Sequence, residues 1–248
     1  MLKMEIGRFG QLDYHAKEAV NTLCTNLSLA GGDFKKLMLT SCRPEEGKSF
    51  IAMNLMRSFA ELGLRVVLVD ADIRASRLIG TYDIQVDAEA GKKPMGLSAY
   101  LAGRCGLQDI LGGTNIPNAW MVLAGKTVIN SLTLFSTPRL GILLDELAAN
   151  FDIVLIDAPP IGAIIDPARI AENCDGILLV VESGSVVIQE LAAVMKQIEK
   201  TKCPLLGTVL NKYDDKRHGN SYYYKYGEYG KYSRVEDRKR PAKAKNKE

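Results

Sequence analysis

The chain has 248 residues, 47% hydrophobic and 25% charged, with a formal net charge of +3, which suits one globular domain with a full core. No apolar run approaches the ~20 residues that cross a bilayer, and the start, Met1-Leu2-Lys3-Met4-Glu5, lacks a signal peptide's apolar stretch. Five scattered cysteines with no paired spacing argue against a disulfide framework or a thiolate metal site, so a reducing compartment, the cytoplasm, is expected.

Residues from about 15 to 30 place Ala16, Ala19, Val20, Leu23, Leu27 and Ala30 at helical spacing, stopped by Gly31-Gly32. The apolar run Leu37-Met38-Leu39-Thr40-Ser41 then opens into Cys42-Arg43-Pro44-Glu45-Glu46-Gly47-Lys48-Ser49, followed by a helical face of Ile51, Ala52, Leu55, Phe59 and Leu62. Strand, loop ending Gly-Lys-Ser and helix together read as a phosphate-binding loop. Backbone N–H groups at the helix start cradle phosphate oxygens, Lys48 reaches the β- and γ-phosphates, and the Ser49 hydroxyl ligates Mg²⁺. The first glycine of the usual pattern is Cys42 here, so the strand–loop–helix context carries the reading against that of a plain surface turn.

Arg65-Val66-Val67-Leu68-Val69-Asp70 is a continuous apolar strand ending in a carboxylate, followed by Ala71-Asp72-Ile73-Arg74. The stretch from Gly80 to Ala119, rich in Gly, Asp and Lys, reads as a mobile excursion beside the site, with short helical pieces near Leu97–Leu101 and Leu107–Leu111. Trp120–Ala124 is a further strand, and Thr137-Pro138 suits an N-cap and first position for a helix burying Leu140, Leu143, Leu144 and Leu147. Phe151–Asp157 is a second apolar strand ending in Asp, before Ala158-Pro159-Pro160. Gly176–Val181 and Leu205–Leu210 are strands flanking a helical pattern over Val186–Lys200.

Strands alternating with helices predict an α/β fold, the three-layer P-loop NTPase sandwich: a mainly parallel central sheet with helices on both faces, in a single domain. The expected division is an N-terminal helical segment over 1–36, the phosphate-loop core over 37–216 and a tail over 217–248. In such a sheet the site lies at the carboxyl ends of the strands, where the phosphate loop, Asp70, Asp72 and Asp157 all fall. A Mg²⁺ ion needs hard oxygen ligands, so Ser49 backed by Asp157, Asp70 or Asp72 is chemically complete; taken singly, Asp70 and Asp72 also fit turn chemistry. Asn211-Lys212-Tyr213-Asp214 spells a guanine-reading motif, but Asp157-Ala158-Pro159-Pro160 lacks the Asp-x-x-Gly of a GTPase, and Asn211 equally fits an adenine edge.

The segment Ser221-Tyr222-Tyr223-Tyr224-Lys225-Tyr226-Gly227-Glu228-Tyr229-Gly230-Lys231-Tyr232 holds six of the ten tyrosines. Interleaved with Gly, Lys and Glu they form no apolar stripe, so a flexible segment presenting phenols is expected; a base-stacking or merely sticky tail is the alternative. Ser233–Glu248 carries seven Lys/Arg against three acids, which fits a solvated tail with weak attraction to an anionic membrane and gives no reason to expect nucleic acid.

Leu37–Ser41 with Pro44–Ser49, Val67–Arg74 and Val154–Pro160 resemble the three nucleotide-site motifs of the bacterial tyrosine kinases, and the likeness extends over roughly residues 15 to 232. It implies an ATP- and Mg²⁺-dependent protein-tyrosine kinase that modifies its own tail at Tyr222, Tyr223, Tyr224, Tyr226, Tyr229 and Tyr232 and regulates capsular or exopolysaccharide assembly. The implied catalytic residues are Lys48, Asp70, Asp72 and Arg74, with either Asp as candidate proton acceptor. Pro44, Glu45, Glu46, Gly47, Lys48, Ser49, Phe50 and Asn211 would bind nucleotide, and Ser49, Asp70, Asp72 and Asp157 the metal. The implied partners are a membrane-bound activator or chain-length regulator, which would hold the kinase at the inner face of the membrane, and a phosphotyrosine phosphatase. The family's Glu-x-x-Arg-x-x-Arg, used in ring-like self-association, reads Glu18, Asn21 and Cys24 here. Weak association is therefore expected, and arginines restored at 21 and 24 are expected to promote assembly. Two alternatives stay open: a chromosome- or division-site-positioning ATPase, where Arg43 would replace a lysine acting across a dimer, and a nucleotide-dependent scaffold without turnover.

Overall fold

The computed structural model describes residues 2–29, 34–87 and 94–213. Met1–Lys212 forms one compact unit and Tyr213–Glu248 a second; the six tail tyrosines and the basic terminus lie outside the described residues.

In chain order the first unit comprises β1 (Leu2–Ile6), α1 (Tyr14–Leu29), β2 (Lys36–Ser41), α2 (Lys48–Glu61), β3 (Val66–Asp70), α3 (Leu78–Tyr82), β4 (Ile84–Asp87), α4 (Leu97–Leu101), a 3₁₀ turn (Leu107–Asp109), β5 (Leu111–Thr114), β6 (Ala119–Val122), α5 (Ser131–Phe135), α6 (Arg139–Asn150), β7 (Ile153–Asp157), α7 (Asp166–Ala171), β8 (Gly176–Glu182), α8 (Ile188–Lys200) and β9 (Leu205–Asn211). They build one sheet in the order β4-β1-β5-β6-β3-β7-β2-β8-β9. All neighbouring pairs are parallel except β1/β4 and β5/β6.

Strand alternation sorts the apolar side chains into two cores. Leu37 and Leu39, Val66 and Leu68, and Ile153 and Leu155 pack on one face with Cys24 and Leu27 of α1 and Ile51, Leu55 and Phe59 of α2. Met38, Val67, Val69, Val154, Ile156, Ile177 and Leu179 face the other core with Leu140, Leu143, Leu144 and Leu147 of α6 and Val194 and Ile198 of α8. No helix among the described residues is long and apolar enough to cross a membrane.

Four expectations are corrected. The N-terminal segment holds the expected helix as α1 but is not helical throughout, because a strand precedes it: Met4 and Ile6 alternate inward along β1, a pattern too short to stand out. The Gly80–Ala119 stretch is not an excursion, because β4 and β5 pair on either side of β1 and extend the sheet; within it the helix at Leu97–Leu101 is present as α4, while the second helical piece is only a 3₁₀ turn over Leu107–Asp109 and Leu111 already begins β5. Gly112 belongs there because a Cβ would come within 2.5 Å of Met4 Cε. Thr137 does not cap α6; its hydroxyl donates to the Leu134 carbonyl at 2.8 Å and closes α5. Cys24, where the family motif has its second arginine, is a core residue at 1% exposure packed toward α2, so an arginine there would enter the core before it could meet a neighbouring chain. The five cysteines are free thiols, three buried and two half-buried.

Candidate functional site

β2, β3 and β7 lie side by side in parallel, so their carboxyl ends bring the phosphate loop, Asp70 and Asp157 together. Asp70 and Asp157 are direct partners in the β3/β7 register.

Two residues of the loop before α2 take left-handed backbone, Glu45 at φ 67° and Gly47 at φ 93°. Gly47 is required twice over: a Cβ would meet Asn211 Nδ2 at 2.0 Å as well as strain that φ. The Glu46 carboxylate turns into the protein at 1% exposure, accepting from the N–H groups of Arg43 at 2.7 Å and Glu182 at 3.2 Å and from the Ser185 hydroxyl at 3.2 Å. Asn211 Nδ2 donates to the Glu46 carbonyl at 2.8 Å, and Lys212 Nζ to the Glu45 carbonyl at 2.9 Å. The loop is thus tied to the ends of β8 and β9, and the Glu46 and Asn211 side chains brace it. Arg43 is held within its own chain by Glu190 and by the Ser185 carbonyl at 2.7 Å. Glu45 pairs on the surface with Arg77 at 2.6 Å, and Phe50 is partly exposed in the first turn of α2.

Lys48 Nζ stands 3.8 Å from Asp72 Oδ2, both side chains largely enclosed. Asp72 Oδ1 accepts the Ala75 N–H at 3.0 Å, while Asp70 accepts the Asp72 N–H at 3.3 Å and the Ser76 hydroxyl. Burial, with the Asp157 charge next to it, pushes the Asp70 carboxyl up to about 7. Asp157 is also raised by burial, against the opposing pull of Lys48 and the Ser49 hydroxyl, and its Oδ1 is a buried oxygen with no hydrogen-bond partner. An orphaned carboxylate oxygen beside a second buried carboxylate and a serine hydroxyl is a donor set that fits a hard divalent cation. Among the described residues no three His, Cys, Asp or Glu side chains form a metal cage. A small cleft opens beside Asp72, lined also by Ile73, Ser76, Ile79, Gly125 and Thr127.

Arg74 donates from Nε at 2.7 Å and Nη2 at 3.2 Å to Asp166, and this bond raises the guanidinium's already high pKa. Asp166 and Ser76 were not legible as site residues: Asp166-Pro167 reads as an ordinary helix start, and Ser76 belongs to no motif.

Residues 37–236 match the CobQ/CobB/MinD/ParA nucleotide binding domain. A tyrosine-protein kinase, CpsD, from Streptococcus pneumoniae is 35% identical over 216 residues, 87% of this chain and 92% of its own length. This chain belongs to the bacterial tyrosine kinases. The kinase domain of the Escherichia coli tyrosine kinase ETK superposes with a TM-score of 0.72 at 26% identity, covering 80% of this kinase and 78% of that chain. The septum site-determining protein MinD of Pyrococcus horikoshii, solved with Mg-ADP, shares the fold at a TM-score of 0.60 and 22% identity, over 72% of this kinase and 70% of that chain. The kinase therefore shares its fold with both proteins and its sequence with the tyrosine kinases.

Proposed function

We propose that this kinase transfers the γ-phosphoryl group of ATP to tyrosine hydroxyls, with Tyr222, Tyr223, Tyr224, Tyr226, Tyr229 and Tyr232 of its own chain as acceptors. The observation that carries the proposal is Lys48 standing beside Asp72 above two buried carboxylates, one with an unpartnered oxygen. Backbone N–H groups of residues 45–49 hold the β- and γ-phosphates, Lys48 stabilises the charge that builds on the transferred group, and Glu46 and Asn211 keep the loop in shape. Ser49 and Asp157, with Asp70 behind, would hold Mg²⁺. When bound, Mg²⁺ neutralises phosphate charge and orients the oxygens for in-line transfer. Asp72, at the cleft and less buried than Asp70, takes the phenolic proton as the tyrosine oxygen bonds to phosphorus and the bond to the ADP oxygen breaks.

Further parts of the proposal rest on the family resemblance: regulation of capsular or exopolysaccharide assembly, docking to a membrane-bound activator at the inner face of the membrane, reversal by a phosphotyrosine phosphatase, and weak self-association. Single-turnover transfer from labelled ATP tests the site. Lys48→Met and Asp157→Ala should each lose ~10²–10³ in rate while remaining folded, and wild-type transfer by either variant would refute it.

A further inference from the structure

The pair between Arg74 and Asp166 joins segments far apart in sequence, and its geometry is that of a clamp. The Asp166 side chain is fully enclosed, whereas that of Arg74 keeps about a third of its surface, at 35% exposure. Nε and Nη2 lie along one edge of the guanidinium and both donate to Asp166, at 2.7 and 3.2 Å. Among the described residues Nη1 makes no hydrogen bond. The buried Ser131 hydroxyl, at the start of α5, also donates to Asp166. The Val128 N–H donates to the Ile73 carbonyl at 3.0 Å and fixes the backbone next to Arg74 against the same segment.

A carboxylate removed from water is costly unless its oxygens are saturated by donors of good geometry. Here those donors come from the turn that follows β3 and from the start of α5, so the pair sets the plane of the guanidinium as well as its charge. Arg74 lies within electrostatic reach of Asp72, two residues along the same turn.

We infer that Asp166 is a positioning residue for phosphoryl transfer: it grips one edge of Arg74 so that the other edge stays directed at the mouth of the site, where charge develops on the transferred group. The inference rests on the proposed reading of the site. It goes beyond that reading by assigning a role to a residue that belongs to none of the nucleotide-site motifs. A fixed cation beside a loose phosphoryl transition state favours that state over the ground state, so the effect should fall on kcat more than on the KM for ATP.

The test is a double-mutant cycle on the full chain, using a peptide of the Ser221–Tyr232 sequence as acceptor, with kcat, KM for ATP and the thermal midpoint measured for each protein. Asp166→Asn should lower kcat by at least about tenfold with KM for ATP within about twofold, and it should cause no further loss once Arg74 is Ala. Arg74→Lys, which keeps the charge but not the two-pronged grip, should lower kcat with KM for ATP within about twofold and a smaller fall in thermal midpoint than Arg74→Ala, and it decides the matter if Asp166→Asn does not fold. Equal losses from Asp166→Asn in both backgrounds would mean that Asp166 only supports the fold, and wild-type kcat in Arg74→Lys would mean that the plane of the guanidinium is irrelevant; either result overturns the inference. If Lys48→Met is inactive while the Arg74 and Asp166 variants turn over normally, this inference alone falls. If Lys48→Met is itself active, the reading of the site falls with it.

Discussion

Asp70→Asn should make the metal-free protein more stable while making it a worse kinase. Asp70 is 1% exposed, paired in register with Asp157 and pushed from 3.8 to about 7, chiefly by burial and next by the Asp157 charge. Between those values the folded state holds a proton that the unfolded chain has released, so stability falls as pH rises through the window and is lowest above about 7. At ~1.4 kcal/mol per pH unit the gap corresponds to an upper limit of ~4 kcal/mol. Asparagine cannot ionise, but it loses part of the hydrogen bonding from Ser76 and the Asp72 N–H, worth ~1–2 kcal/mol. The net gain at pH 8 should be ~1–3 kcal/mol and should shrink toward zero at pH 5, where the wild-type Asp70 is itself protonated. Urea unfolding in EDTA at the two pH values measures it. A variant less stable than wild type at pH 8, or a difference independent of pH, would refute the reasoning.

Glu46→Gln should weaken ATP binding by ~10-fold, because an amide cannot accept from Arg43, Glu182 and Ser185 together as the buried carboxylate does; unchanged affinity in a fluorescent-nucleotide titration would show that the brace is dispensable. Cys24→Arg, alone or with Asn21→Arg, should cost ~2–4 kcal/mol by placing a charge in the packing between α1 and α2, so thermal unfolding should show loss of stability and sedimentation should show no ring. Replacing all six tail tyrosines by Phe should abolish autophosphorylation and leave nucleotide affinity unchanged, since only the nucleophilic oxygens are removed; label of comparable amount at Tyr14, Tyr82 or Tyr100 would place the main acceptor elsewhere.

The parallel core was legible because strands buried on both faces, such as Val66–Asp70 and Ile153–Asp157, are continuous apolar runs ending at the site. The motif residues met as expected: Lys48, Asp70, Asp72 and Asp157 converge at the ends of β2, β3 and β7. The far edge of the sheet was not legible, since β1, β4 and β5 are four or five residues long and Gly112-Gly113 reads as a turn until Met4 packs on it. Three side chains also make contacts that their motifs do not spell out. Glu46 and Asn211 brace the loop, and Arg74 is gripped by Asp166, because buried polar atoms take partners from distant segments that spacing along the chain does not reveal.

The central claim is tested most directly by incubating the purified full chain with γ-labelled ATP and Mg²⁺ and mapping every modified residue, with Lys48→Met alongside. Phosphotyrosine concentrated at Tyr222, Tyr223, Tyr224, Tyr226, Tyr229 and Tyr232, and absent from the Lys48→Met protein, is the predicted result. Release of inorganic phosphate with no phosphotyrosine on the chain would contradict it.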